Sequence, residues 1–309
     1  MSEISEALLE MYYFHPIKDA IESVLGKKIN RIYKPSPQEE AWLGFDQAWV
    51  NDQISEEDFY EMIKERADKK SKPPYKKDRY TYIAFLLQFK VVEKKERIIR
   101  SWKGGKLSFR IPPKYTTPYY RSPLKTEPSK TAKYAQHNLL YEINKKFKNF
   151  GIYYACPMLF EQKDIFVPKV DLDKLILVDL DSAPSPYKKK WRKYNNHHIM
   201  FQDTTGKGMK WCSRPQKGTS FSSREWIEQK VVNSQLDSEG VLALIKDLVE
   251  FEKDISLDKK ANNLIDFFEY RKFISCLKIL EIDNEDVSKE TRVKLSDKLL
   301  PVKEDIIKF

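Results

Sequence analysis

Glycine is scarce in this chain, at 9 of 309 residues, which excludes collagen-like repeats and glycine-rich linkers. Cysteine is scarcer still. Cys156, Cys212 and Cys276 are odd in number, far apart and form no CxxC pair. Neither a disulfide framework nor a zinc ribbon is expected, and a reducing cytoplasm suits them best. No apolar run approaches the roughly 20 residues needed to cross a bilayer, so a soluble chain without a membrane partner is expected. The N-terminus, Met1-Ser2-Glu3-Ile4-Ser5-Glu6, is acidic and unlike a signal peptide. No internal repeat is visible.

What the chain has in quantity is charge, at 33% of residues, beside 41% hydrophobic residues to build a core. The net charge of +10 points toward polyanionic partners, DNA among them, although a lysine-rich surface can also be merely solvated.

Periodicity predicts a helix over 5–26, with Gly26 as its stop and Pro16 breaking or kinking it. Residues 28–34 are a candidate strand. Ser36-Pro37-Gln38-Glu39-Glu40 reads as a capped helix start, and 45–50 alternates like a strand. A charged helix over 54–68 precedes a strand over 80–92 whose apolar character places it at the centre of a sheet. The stretch 100–130 contains no clear core element. A helix over 131–148 is followed by strands over 151–160 and 175–180 and short strands near 198–202 and 209–213. From 237 to the end the pattern reads as helical throughout.

Gln88 and Lys90 are two apart on the long strand, so both point to one face. A lysine among Phe85, Leu86, Leu87, Phe89, Val91 and Val92 needs a partner or a task. Asp46 on the preceding strand is the natural partner, with Glu40 just upstream. The plain alternative is a buried Asp46–Lys90 ion pair tying two strands together.

A helix glutamate, a strand aspartate and then (Asp/Glu/Gln)-x-Lys on the next strand resembles the signature of PD-(D/E)XK nucleases. Here it reads Glu40, Gly44-Phe45-Asp46 and Leu87-Gln88-Phe89-Lys90, and the glutamine form is similar to that of Mrr-type restriction nucleases. The resemblance implies a restriction-endonuclease-like mixed sheet flanked by helices over 1–170. It also implies catalytic residues Glu40, Asp46, Gln88 and Lys90, with Mg²⁺ or Mn²⁺ on Asp46 and Gln88. Such a metal polarises a phosphoryl oxygen and lowers the pKa of a bound water, while the lysine stabilises charge in the transition state. The helix and strand after the catalytic strand fit the same pattern. Gln136 and Tyr141 loosely resemble the Gln-x-x-x-Tyr helix of RecB-like nucleases, which makes Gln136 and His137 further candidates.

Basic and aromatic residues interleave around the catalytic strand. Lys76, Lys77, Arg79, Arg100, Lys103, Arg110, Tyr119 and Arg121 are expected to bind nucleic acid, the cations on phosphates and the ring on a base. A second cluster, Lys188-Lys189-Lys190-Trp191-Arg192-Lys193, extends the basic track. Residues 171–235 are read as an extension of strands and a basic loop. Residues 236–309 are read as a helical C-terminal module whose stripe of Leu242, Leu244, Ile245, Leu248 and Val249 suits a homodimer or a protein partner.

The sequence therefore predicts a metal-dependent DNA endonuclease serving defence against foreign DNA. One alternative is a non-catalytic nucleic-acid-binding protein on a degenerate nuclease fold. Another is a phosphatase using Asp179 and Asp181, which end an apolar strand as DxD. His197 and His198 are adjacent and face opposite sides of a strand, so they read as surface histidines.

Overall fold

The computed structural model describes residues 4–33, 56–70, 79–98, 111–112, 114–126, 135–147, 150–165, 167, 169–188, 197–212, 215–257, 270, 274 and 276–284. Helix α1 (Glu6–Leu25) starts where the Ser5 hydroxyl accepts the Leu8 N–H, and stops at Gly26, whose φ of 61° suits a residue without a Cβ. Pro16 lies inside α1 and does not end it, so of the break or kink expected from the sequence the break does not occur. Leu9 and Tyr13 before the proline and Ile17 and Ile21 after it bury in one cluster, so packing on both sides outweighs the lost hydrogen bond.

After α1 come β1 (Ile29–Tyr33), α2 (Glu56–Lys70), β2 (Tyr80–Phe89), β3 (Glu93–Lys95), β4 (Tyr119–Leu124) and α3 (Gln136–Lys146). Next are β5 (Gly151–Pro157), β6 (Leu175–Asp179), β7 (His197–Phe201), β8 (Lys210–Cys212), β9 (Gln216–Lys217) and β10 (Ser220–Ser222). The short helix α4 (Ser223–Trp226), β11 (Gln235–Leu236), α5 (Ser238–Leu257) and β12 (Leu277–Asp283) follow. The fold is α/β, a mixed sheet flanked by helices. Its order is β1-β12-β2-β5-β6-β10, with β11 also on β2. β2 and β5 run parallel, with Gln88 beside Tyr154, and the other pairs are antiparallel. A second, antiparallel sheet has the order β3-β4-β7-β8-β9.

Alternation along β2 divides the core. Ile83, Phe85, Leu87 and Phe89 pack with the buried face of α1 and with Trp226. Tyr82, Ala84 and Leu86 face the other way, onto α2, α3, α5 and the inner face of the second sheet, where Ile199, Phe201 and Trp211 lie. Each of the leucine, isoleucine and phenylalanine side chains contributes about 1.5–3 kcal/mol on burial. Among the described residues no helix is long and apolar enough to cross a membrane.

The fold corrects three sequence expectations. Residues 277–283 are a strand, β12, between β1 and β2, so the chain is not helical from 237 onward. The stripe on α5 has an internal partner: Val241, Leu244 and Leu248 are buried in the core, Leu242 and Ile245 pack against it, and only Val249 of the stripe is exposed. Within 100–130, β4 places Tyr119, Tyr120, Ser122 and Leu124 among buried residues. The helix start at Ser36, the strand over 45–50, Glu40 and Asp46 lie outside the described residues.

Candidate functional site

β2 ends at Phe89, but the Lys90 N–H still donates to the Ala155 carbonyl at 2.8 Å. Lys90 therefore continues the pleat beside β5. Gln88 follows Tyr82, Ala84 and Leu86 on the face that α3 covers, as the period of two requires. Both polar side chains are buried, Gln88 7% and Lys90 4% exposed. They lie at the carboxyl end of a parallel strand pair, the position where open α/β sheets hold ligands.

Two helices bring partners to this end. Lys90 Nζ donates to Glu6 Oε1 of α1 at 3.0 Å and to Gln136 Oε1 of α3 at 2.5 Å. Gln88 Nε2 donates to the other Glu6 oxygen at 3.4 Å and to the Phe89 carbonyl at 3.3 Å. The Cys276 thiol, just before β12, donates to Gln88 Oε1 at 3.7 Å. One carboxylate thus bridges the glutamine and the lysine, which compensates the buried ammonium.

Gln136 reaches Lys90 because α3 begins there, with the His137 N–H held by the Lys125 carbonyl at 2.9 Å. His137 points inward. Its Nδ1 lies 3.0 Å from the Tyr154 hydroxyl and the two rings stack at 5.9 Å. Burial pushes the His137 imidazole down to about 3, and the neighbouring His197 and Lys90 act in the same direction. The ring is neutral and sealed. It is not on the surface where a DNA contact was expected, whereas Gln136 next to it hydrogen-bonds Lys90.

Glu6 is the residue that sequence reasoning missed. An acidic side chain directly after a Ser N-cap reads as an ordinary first-turn residue stabilised by the helix dipole, and its partner Lys90 lies 84 positions away. The neighbours of β2 among the described strands are β12, β5 and β11, and none contains Asp46. Glu6, Gln88 and Gln136 bring hard oxygen donors into one network. No group of three His, Cys, Asp or Glu able to hold a metal ion occurs among the described residues. The described donors alone therefore do not fit Mg²⁺, which requires near-octahedral oxygen coordination.

The remaining candidates divide. Tyr119 is buried with Tyr115, Met200 and Cys212, so its ring is not presented to a base. Arg121 pairs with Glu93 at 3.0 Å, and Arg79 pairs with Asp283 at 2.8 Å while half exposed. Lys76, Lys77, Arg100, Lys103 and Arg110 lie outside the described residues. Asp179 caps the turn after β6 by accepting the Asp181 N–H, and Asp181 accepts from Asn144, both at 2.9 Å; the DxD pair closes a strand end. His197 and His198 do face opposite ways, but both are buried. His197 shares a row with Ile199 and Phe201, and His198 sits opposite Cys212. No protein-family model, curated protein or solved structure matches the chain.

Proposed function

We propose that this chain is a metal-dependent DNA endonuclease of the PD-(D/E)XK type. The observation that carries the reading is the buried Gln88 and Lys90 at the carboxyl end of β2, beside a parallel strand and met by Gln136 and Glu6. A sheet does not bury an ammonium at a strand end cheaply, and a lysine held there by a carboxylate and an amide is oriented toward whatever enters that end. A phosphodiester suits it, since negative charge grows on the phosphoryl oxygens as the bond breaks. In the proposal Asp46 supplies the carboxylate that the described donors lack for a metal. The net charge of +10 favours a polyanionic substrate. Resemblance to restriction nucleases extends the proposal to defence against foreign DNA, and cutting both strands from one site per chain favours a homodimer.

The test is nicking and linearisation of supercoiled plasmid in Mg²⁺ or Mn²⁺. Wild type is expected to cleave and to stop when EDTA is added. Asp46→Ala and Lys90→Ala should lose about 100-fold or more in rate while still melting in a single cooperative transition. For Lys90→Ala that transition comes at a lower temperature, because a buried, paired side chain is truncated. Full activity in folded Lys90→Ala would remove the reading. A second reading, nucleic-acid binding without cleavage, is favoured by one observation: the Glu6 carboxylate is already engaged by Lys90 and Gln88. DNA binding with no metal-dependent cleavage would establish it.

A further inference from the structure

Among the described residues two lysines are buried, Lys90 just past β2 and Lys278 on β12, and α1 supplies a carboxylate to each. Lys90 meets Glu6 at 3.0 Å and Lys278 meets Glu10 at 2.6 Å. Glu6 and Glu10 are one helical turn apart, yet their surroundings differ. Lys278 lies on β12 opposite Phe85, within a crevice lined by Phe14, Ile17, Leu87 and Phe89. There the Glu10 side chain is 23% exposed. Lys90 lies just past the carboxyl end of β2, and the Glu6 side chain is 42% exposed while Lys90's is 5%.

This imbalance defines an exchangeable site. The half-exposed Glu6 carboxylate can recover its hydration on swinging into water, so the cost of parting the pair falls on the ammonium. The buried ammonium cannot be left without an anion. Glu6 places its two oxygens on two donors, the Lys90 ammonium and the Gln88 amide. Two non-bridging oxygens of a phosphodiester carry the same single charge and can take the same two donors.

We propose that Gln88 and Lys90 form a binding site for a backbone phosphate of nucleic acid, and that Glu6 occupies it in the free protein until a phosphate displaces it. The proposal deepens the nuclease reading and rests on it for the identity of the ligand. Gln136 remains on Lys90 when the carboxylate leaves, so the ammonium keeps one of its two partners. The Glu10–Lys278 pair keeps α1 docked, so only the first turn has to yield.

The test is binding of a short fluorescent duplex DNA in EDTA, followed by anisotropy, where no cleavage occurs. Removing the resident anion with Glu6→Gln should tighten binding about tenfold, the scale of one charge-assisted contact freed for the ligand. Glu10→Gln should leave affinity at the wild-type value. The double variant Glu6→Gln with Lys90→Ala should show no gain over Lys90→Ala alone. Should Glu6→Gln fail to fold, Glu6→Asp, which withdraws the carboxylate by about one bond length, should give a smaller gain of the same sign. Unchanged or weaker binding by folded Glu6→Gln or Glu6→Asp overturns the proposal, as does an equal gain in Glu10→Gln. Because the assay contains no metal, a gain in Glu6→Gln beside a plasmid that stays intact in Mg²⁺ would end the nuclease reading and leave the phosphate site standing.

Discussion

At the scale of single residues, His137 carries a consequence for acid stability. Its imidazole is buried, faces His197 and lies near Lys90, so protonation is resisted down to about pH 3 in the folded state. In the unfolded chain the same ring takes up a proton near pH 6.5. Unfolding therefore binds a proton that the folded protein refuses, and stability is lost as pH falls from about 6.5 toward about 3. The slope approaches about 1.4 kcal/mol per pH unit, so going from pH 7 to pH 5 should cost about 2 kcal/mol through this residue alone. Urea unfolding at both pH values, in wild type and His137→Gln, isolates the effect. Equal acid sensitivity in the two proteins would mean that the ring titrates normally and is not sealed. The inward direction of His137 was not legible in the sequence, because the Gln136-His137 dipeptide opens a helix and either residue can face the site. Gln88 and Lys90 were legible, because a period of two puts polar residues on one face of an apolar strand whatever lies opposite. Their acidic partner was not, because contact between positions 6 and 90 depends on how α1 docks.

At the scale of elements, β12 shows how charge can disguise a strand. Leu277-Lys278-Ile279-Leu280-Glu281-Ile282-Asp283 does not alternate, because Leu277 and Ile279 face one cluster, Leu280 and Ile282 the other, and Lys278 and Glu281 are buried with partners. β4 is disguised by Pro123, which is tolerated because β3 pairs only with residues 119–121. Strands β2, β5 and β6 are continuous apolar runs and were legible, as were the helical period of α1 and its stop at Gly26, though not its continuity through Pro16. Two ion pairs on β12 invite a comparison. Glu281 is 2% exposed and accepts from Arg66 at 2.6 Å and Asn30 at 2.5 Å, joining α2 and β1 to the strand. Asp283 accepts from Arg79, which is half exposed. Glu281→Gln leaves the Arg66 guanidinium without its carboxylate and should destabilise the fold by about 3 kcal/mol or more. Asp283→Asn should cost less than about 1 kcal/mol. Similar losses in the two variants, measured by chemical denaturation, would show that Glu281 is more hydrated than its burial implies.

At the scale of the whole molecule, the C-terminal part of the chain is woven into the sheet that carries the candidate site. β12 lies between β1 and β2, and its register runs from Leu277 opposite Leu86 to Asp283 opposite Tyr80. Cys276, at its start, touches Gln88. A helical module beginning near residue 236 would be removable, and a chain ending before it would still fold. The observed topology predicts the reverse. A chain ended after Leu257 keeps all of α5 but lacks β12. The edges of β1 and β2 that β12 pairs would be open, and unpaired strand edges beside exposed apolar faces aggregate. The buried side chains Leu277, Ile279, Leu280 and Ile282 would be missing from two core clusters at once, and each is worth about 1.5–3 kcal/mol. That sum is comparable with the whole stability of a typical domain. The truncated chain should therefore be insoluble or lack a cooperative melting transition, and co-expression with a fragment covering 258–309 should restore soluble protein by supplying the missing strand. A 1–257 chain that melts cooperatively near the full-length temperature would show that β12 is dispensable to the sheet, and the position of Gln88 and Lys90 would then have to be explained without it.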